Sequence, residues 1–152
     1  MSAVLKADNL SKWYGNVLGI SDISLTISSG IQGLLGPNGA GKSTFLKIAS
    51  GQLKHNIGDI TIFGEKVYNN HRLFSKIGFC PELDCFYKDI TGHEFMLFIA
   101  KMHGFKGAEA KEMADVALER MGMVENAKKL ISAFSMGMRQ RLKVATSIIH
   151  NP

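Results

Sequence analysis

The chain has almost no cysteine. Cys80 and Cys85 are the only two among 152 residues. Their spacing is not that of a Cys-x-x-Cys pair, and no second pair exists to complete a zinc site, so both read as reduced thiols. Long apolar runs are also missing. No stretch approaches the roughly 18 apolar residues that a bilayer-spanning helix needs. The N-terminal MSAVLKADNL lacks the apolar centre of a secretory leader. These absences point to a cytoplasmic chain whose membrane role, if any, runs through a partner. Internal repeats, low-complexity tracts and sustained heptads are absent as well. The 18 basic residues outnumber the 13 acidic ones, for a net charge of +5. They are scattered rather than striped, which disfavours nucleic acid as a partner and leaves polyphosphate or anionic headgroups. Hydrophobic content of 45% and 20% charged residues describe one ordinary globular domain with a real core.

What is present is more telling. Residues 36–44 read Gly-Pro-Asn-Gly-Ala-Gly-Lys-Ser-Thr, a complete G-x-x-x-x-G-K-[ST] phosphate-binding loop. Gly36, Gly39 and Gly41 let the backbone curl so that N–H groups converge on phosphate oxygens, with Pro37, Asn38 and Ala40 completing the loop. A helix N-terminus favours an anion. Lys42 is placed for the β- and γ-phosphates, and the Ser43 hydroxyl, followed by Thr44, for Mg²⁺. The context suits the motif, because Ile31–Leu35 reads as a short buried strand and Ser43–Ser50 as a helix.

The remaining chain divides by texture. Val4–Leu10 and Ile23–Ile27 alternate apolar and polar residues, as half-buried antiparallel strands do. Ile57–Val67 has the same texture with Gly64 as its turn, and Ile77–Cys80 reads as a core strand stopped by Pro81. Beyond Pro81 the pattern is helical. Thr91 and Glu94 fit a capping box, followed by Phe95, Phe98, Ile99 and Met102 at helical spacing up to Gly104. Lys106–Gly122 reads as a second helix with Met113, Val116, Ala117 and Met121 on one face, and Met136–His150 as a third. The methionines fall mostly on these apolar stripes, where core packing explains them. The expected organisation is one α/β domain: a β subdomain and phosphate-loop core over 1–82, and an all-helical subdomain over 83–152.

The order of motifs resembles the nucleotide-binding domain of ATP-binding cassette (ABC) transporters along the whole chain. GLLGPNGAGKSTFLKIASG is similar to that family's phosphate loop. Ser11–Gly15 resembles its adenine-stacking loop, with Tyr14 at the matching position. Ile77–Glu82 resembles its Q-loop, with Glu82 where Gln is usual; Glu there is similar to an exporter-like branch. Phe134–Arg141 resembles its signature, with Ser135 and Gly137 matching and Met136 and Met138 as departures.

The resemblance implies a P-loop NTPase fold and an ATPase that drives transport, with ATP and Mg²⁺ as cofactors. It implies that Glu82 reaches Mg²⁺ or the attacking water, and that the loop Ser135–Met138 meets the ATP of a second ABC domain in a head-to-tail dimer. It implies a transmembrane permease partner, docking near Leu83–Thr91, and a peripheral place on the inner face of the membrane. In the family, the strand carrying the Mg²⁺-coordinating Asp and the catalytic Glu comes after the signature helix. The chain is therefore expected to be a piece lacking the C-terminal part of the core, with an exposed sheet edge and no turnover by itself. A non-hydrolytic ATP-binding remnant and a soluble, non-transport ABC ATPase are the competing readings. A small-molecule kinase is disfavoured by residues 134–141, and His150 receives no role.

Overall fold

A computed structural model describes residues 3–152. The chain divides into two compact units, one running to Ile77 and the other from Gly78 to Pro152. No helix among the described residues is long and apolar enough to cross a membrane.

The first unit is built on an antiparallel sheet. Strands β1 (Ala3–Tyr14) and β2 (Val17–Ser28) form a hairpin, and β3 (Ile57–Ile62) and β4 (Glu65–Lys66) extend it in the order β2-β1-β3-β4. Tyr14 pairs with Val17, so the hairpin turn is two residues long, and Gly15 supplies the positive φ of 59° that such a turn demands. Both hairpin strands run well past the alternating segments seen in the sequence. The reason is a register shift between Ala7 and Leu10. Leu5 and Ala7 bury odd-numbered positions, whereas Leu10 buries an even one. A bulge is what lets both sets face the same core. It carries Asn9 and Asp22 at φ 47° and 50°, tied by Asn9 Nδ2 donating to Asp22 Oδ1 at 2.8 Å.

Helix α1 (Lys42–Ala49) lies on this sheet through Phe45, Ile48 and Ala49, which are spaced to share one face. With Leu10, Ile20, Ile60, Ile62, Val67 and Leu73 they make the first core. Leu73 comes from the single-turn helix α2 (His71–Phe74), capped by the Asn70 side chain.

Two expected strands are not formed. Residues 31–35 and 77–80 lie outside the sheet. A strand is defined by a ladder partner, and among the described residues no strand pairs with either run. Ile31 and Leu35 are accordingly 103% and 93% exposed, although their apolar character suits a buried strand.

The second unit is helical: α3 (Gly92–Met102), α4 (Gly107–Arg120) and α5 (Met136–Ile148), with single 3₁₀ turns at Asn126–Lys128 and Ile131–Ala133. The capping box of α3 forms as read. Thr91 Oγ1 accepts from the Glu94 amide at 3.2 Å, and Glu94 Oε2 accepts from the Thr91 amide at 2.8 Å. The buried stripes differ from the expected ones. In α3 the core is met by Gly92, Phe95, Met96 and Ala100, while Phe98 and Met102 are exposed. In α4 it is met by Ala110, Ala114, Ala117 and Leu118, while Val116 is exposed. The buried faces thus mix alanines with the large Phe95, Met96 and Leu118. Met96 and Met123 are fully buried, but Met102 and Met136 are 71% and 73% exposed, so core packing accounts for only some of the methionines.

Candidate functional site

The phosphate loop takes its shape from one glycine. Gly41 precedes α1 with φ 87° and ψ 4°, a left-handed conformation. A Cβ there would run into the Ile20 side chain and lie 2.7 Å from the Gly19 carbonyl oxygen. Only glycine meets both the torsion and the contact. Asn38 and Gly39 turn the loop, Gly39 with φ 82°, and the Ala40 amide closes it by donating to the Pro37 carbonyl at 3.3 Å. Pro37 through Ala40 are exposed, as is Gly36 before them.

Helix α1 has no side-chain cap. Its first amides therefore keep their donors for another acceptor, at the positive end of the helix. Lys42 bends back over the loop, its Nζ donating to the carbonyls of Gly36 at 2.8 Å and Pro37 at 2.7 Å. Ser43 follows in the first turn, exposed. The result is a turned loop that leads into uncapped helix amides, with an ammonium folded over its carbonyls and an exposed serine in the first helical turn. These residues fit a Mg²⁺-bound polyphosphate, which needs convergent N–H groups, a cation and an oxygen ligand.

Tyr14 joins this cradle. It ends β1, and its hydroxyl lies 3.3 Å from Thr44 Oγ1. Its ring is 46% exposed, packs on the Gly19 backbone at a distance only glycine permits, and carries the Lys12 ammonium 5.7 Å from its centroid. An exposed aromatic face thus stands beside the phosphate loop.

The other expected residues belong to the second unit. Glu82 is exposed, in a bend before the helices. Ser135 is the N-cap of α5, its Oγ accepting from the Met138 amide at 3.3 Å. The exposed Met136 and the open Gly137, which has nothing within 4 Å of a Cβ position, form the first turn of that helix.

One cluster here escaped the sequence reading. Asp84 Oδ1 lies 3.0 Å from Lys143 Nζ, and Asp84 Oδ2 lies 3.0 Å from Arg139 Nε. Lys143 also donates to the Glu82 carbonyl at 2.7 Å, and Arg139 Nη1 to the Phe134 carbonyl at 2.6 Å. The hydrogen bond from Lys143, followed by the charges of Lys143 and Arg139, holds the Asp84 carboxyl below its ordinary range against an opposing desolvation. The available signal was the spacing. Arg139 and Lys143 stand one turn apart on α5 and present two cations on one face.

The sequence profile of the family described as "ABC transporter" matches residues 20–152. The chain belongs to this family. ABC relatives in bacteria include the linearmycin resistance ATP-binding protein LnrL of Bacillus subtilis, 38% identical over 151 residues. The bacitracin transport ATP-binding protein BcrA of Bacillus licheniformis is 36% identical over 154 residues. The alignments cover 98% and 100% of this chain but 49% of each relative, so the chain spans about half the length of these ABC proteins. Among solved structures, cbiO1 of Clostridium perfringens, described as part of the ABC transporter complex cbiONQ, superposes with a TM-score of 0.85 at 24% identity. That superposition covers 100% of this chain and 63% of cbiO1. An ATP-binding subunit of an ABC transporter superposes at 0.79 over 98% of the chain. Both carry the α/β P-loop fold onto this ABC chain.

Proposed function

We propose that the chain is the ATP-binding part of an ABC transporter, binding MgATP on the loop Gly36–Thr44 and coupling its binding and hydrolysis to substrate movement through a membrane partner. The observation that carries this reading is the cradle itself: the left-handed Gly41, the uncapped amides of α1, and the Lys42 ammonium folded over the loop carbonyls. Within it, Lys42 would exchange the Gly36 and Pro37 carbonyls for phosphate oxygens, Ser43 would ligate the metal, and Tyr14 would stack on the base. Glu82 would contribute a carboxylate toward the metal or the attacking water. Ser135 through Met138 would offer a cap hydroxyl and helix-end amides to the nucleotide of a second ABC domain, arranged head to tail.

A transport role is favoured over a soluble ABC ATPase by the relatives, whose names concern bacitracin transport and linearmycin resistance. It implies a permease partner and a peripheral position on the cytoplasmic face of the membrane. Calorimetric titration of MgATP into the wild-type chain and Lys42→Ala tests the reading. Binding is expected for the wild type and its loss for the variant; equal affinity in both would sink the assignment.

A further inference from the structure

A cavity of about 690 Å³ opens within the helical unit, and none of the residues assigned to nucleotide above lines it. That volume falls in the range of small-molecule sites, roughly 300–1,000 Å³. Its walls come from the first turn of α3, the last turns of α4 and the segment from Val124 to Lys128. These pieces are tied to one another. His93 Nε2 lies 2.9 Å from Asp115 Oδ1, which joins α3 to α4. The Gly92 amide donates to the Lys129 carbonyl at 3.2 Å, and the Ala127 amide to the Met123 carbonyl at 2.7 Å. A cavity held in this way exists before a ligand arrives, so little ordering is left for binding to offset.

The chemistry of the walls selects the ligand. Leu118 and Val124 supply an apolar surface, and the carboxylates of Glu94, Asp115 and Glu119 stand around it. Asp115 uses Oδ1 on His93, and Glu94 uses Oε2 on Thr91. The Glu119 carboxylate makes no hydrogen bond or ion pair among the described residues. Lys128, the ammonium on the rim, is drawn toward Glu125 Oε1 at 3.4 Å. Three carboxylates therefore face one lysine and one histidine, and the rim stays net negative whether or not His93 carries a proton.

An anion finds no equivalent welcome. It would seek the free amides of a helix N-terminus. At the start of α3 the Thr91, Gly92 and Glu94 amides already donate to Glu94 Oε2, the Lys129 carbonyl and Thr91 Oγ1. What the cavity has left to offer is carboxylate oxygen, which accepts and cannot donate.

We infer that this cavity is a binding site for a small organic cation, an ammonium or guanidinium on an apolar stem. The stem packs on Leu118 and Val124, and the charge meets Glu119 and the second oxygen of Asp115. Hydrogen bonds to an ionised acceptor are the stronger kind, and they fix the orientation of the ligand. The site is independent of the nucleotide reading above.

Amide NMR titrations of the whole chain with benzamidinium, its neutral near-isostere benzamide and the anion benzoate test the assignment. Benzamidinium should give saturable shifts confined to residues 91–94, 115–119 and 124–128. Two exposed charge pairs should make it bind roughly tenfold more tightly than benzamide. Glu119→Gln should weaken benzamidinium by roughly fivefold, the scale of one such pair, and leave benzamide unchanged. The Glu119 side chain has no partner to lose, so this variant does not put the fold at stake. Glu112→Gln removes the same charge from α4 outside the cavity and should change neither affinity. Equal affinities for benzamidinium and benzamide overturn the inference, as do benzoate shifts at the same residues, shifts scattered beyond the three segments, or the absence of saturation. An unaltered benzamidinium affinity in Glu119→Gln overturns it too, and so does an equal loss in Glu112→Gln, which would point to the general field of the chain.

Discussion

The hydroxyl of Tyr14 lies 3.3 Å from the Thr44 hydroxyl, which joins the end of β1 to the first turn of α1. The two residues are 30 positions apart, yet the hairpin carries the ring to the mouth of the phosphate loop. An aromatic face beside the phosphate loop is what the proposed nucleotide site requires for a base. The contact predicts an order among variants. Tyr14→Phe removes only the hydroxyl and should bind MgATP nearly as the wild type does. Tyr14→Ala removes the face and should weaken adenine nucleotides by roughly 1–3 kcal/mol, the range for base–aromatic stacking. Inorganic triphosphate should bind both variants alike. Competition titrations with ATP and triphosphate check it.

Gly41→Ala should damage both fold and site. The left-handed torsion alone costs a non-glycine residue about 1–2 kcal/mol, and the added methyl meets Ile20 and the Gly19 carbonyl. Lower denaturant midpoints with loss of MgATP binding are expected. Gly39→Ala has the same sign of φ but nothing within 4 Å of its Cβ, so it should cost stability less. Paired urea titrations of the two variants measure the difference.

Thr91→Ala removes the acceptor for the Glu94 amide and should lower stability by about 1 kcal/mol, as lost N-caps do. The Glu94 carboxyl is held below its ordinary value by the Thr91 backbone hydrogen bond and then by the Thr91 hydroxyl. A carboxyl depressed in the folded state adds stability above its unfolded pKa and loses it as pH falls through the folded value. Part of this contribution should therefore vanish under acid conditions. Thermal unfolding of wild type and Glu94→Gln from neutral to acid pH should show the gap between them closing.

His103 stacks on His150 with centroids 4.5 Å apart and planes 9° from parallel. Desolvation, and then the charge of His150, lower the pKa of His103 from its ordinary 6.5. The unfolded chain thus takes this proton first as pH falls. The stabilising contribution is complete above the ordinary value and is lost on descending through it toward the folded value. His103→Phe keeps the ring stack without the proton, so its melting temperature should depend less on pH between neutral and mildly acid solution. An unchanged pH slope in that variant would contradict this account.

What the chain determines by itself is local. The loop Gly36–Thr44, the Thr91–Glu94 box and the helices that follow them are legible because their hydrogen bonds join residues within six positions of one another. Tertiary structure decided what depends on distant partners. The bulge at Asn9 and Asp22 is a property of two strands together, and it extended the hairpin beyond either alternating segment. Ile31–Leu35 has the composition of a buried strand but no ladder partner among the described residues, and a ladder needs two strands. Helix faces were misjudged at Phe98, Met102 and Val116 because the elements packed against a helix decide which of its residues are buried, and the periodicity of large residues does not reveal those elements. The Asp84–Lys143 pair spans the distance from the Q-loop segment to α5. Only the folded helical unit brings that carboxylate to a lysine that reads, in sequence, as one more scattered surface charge.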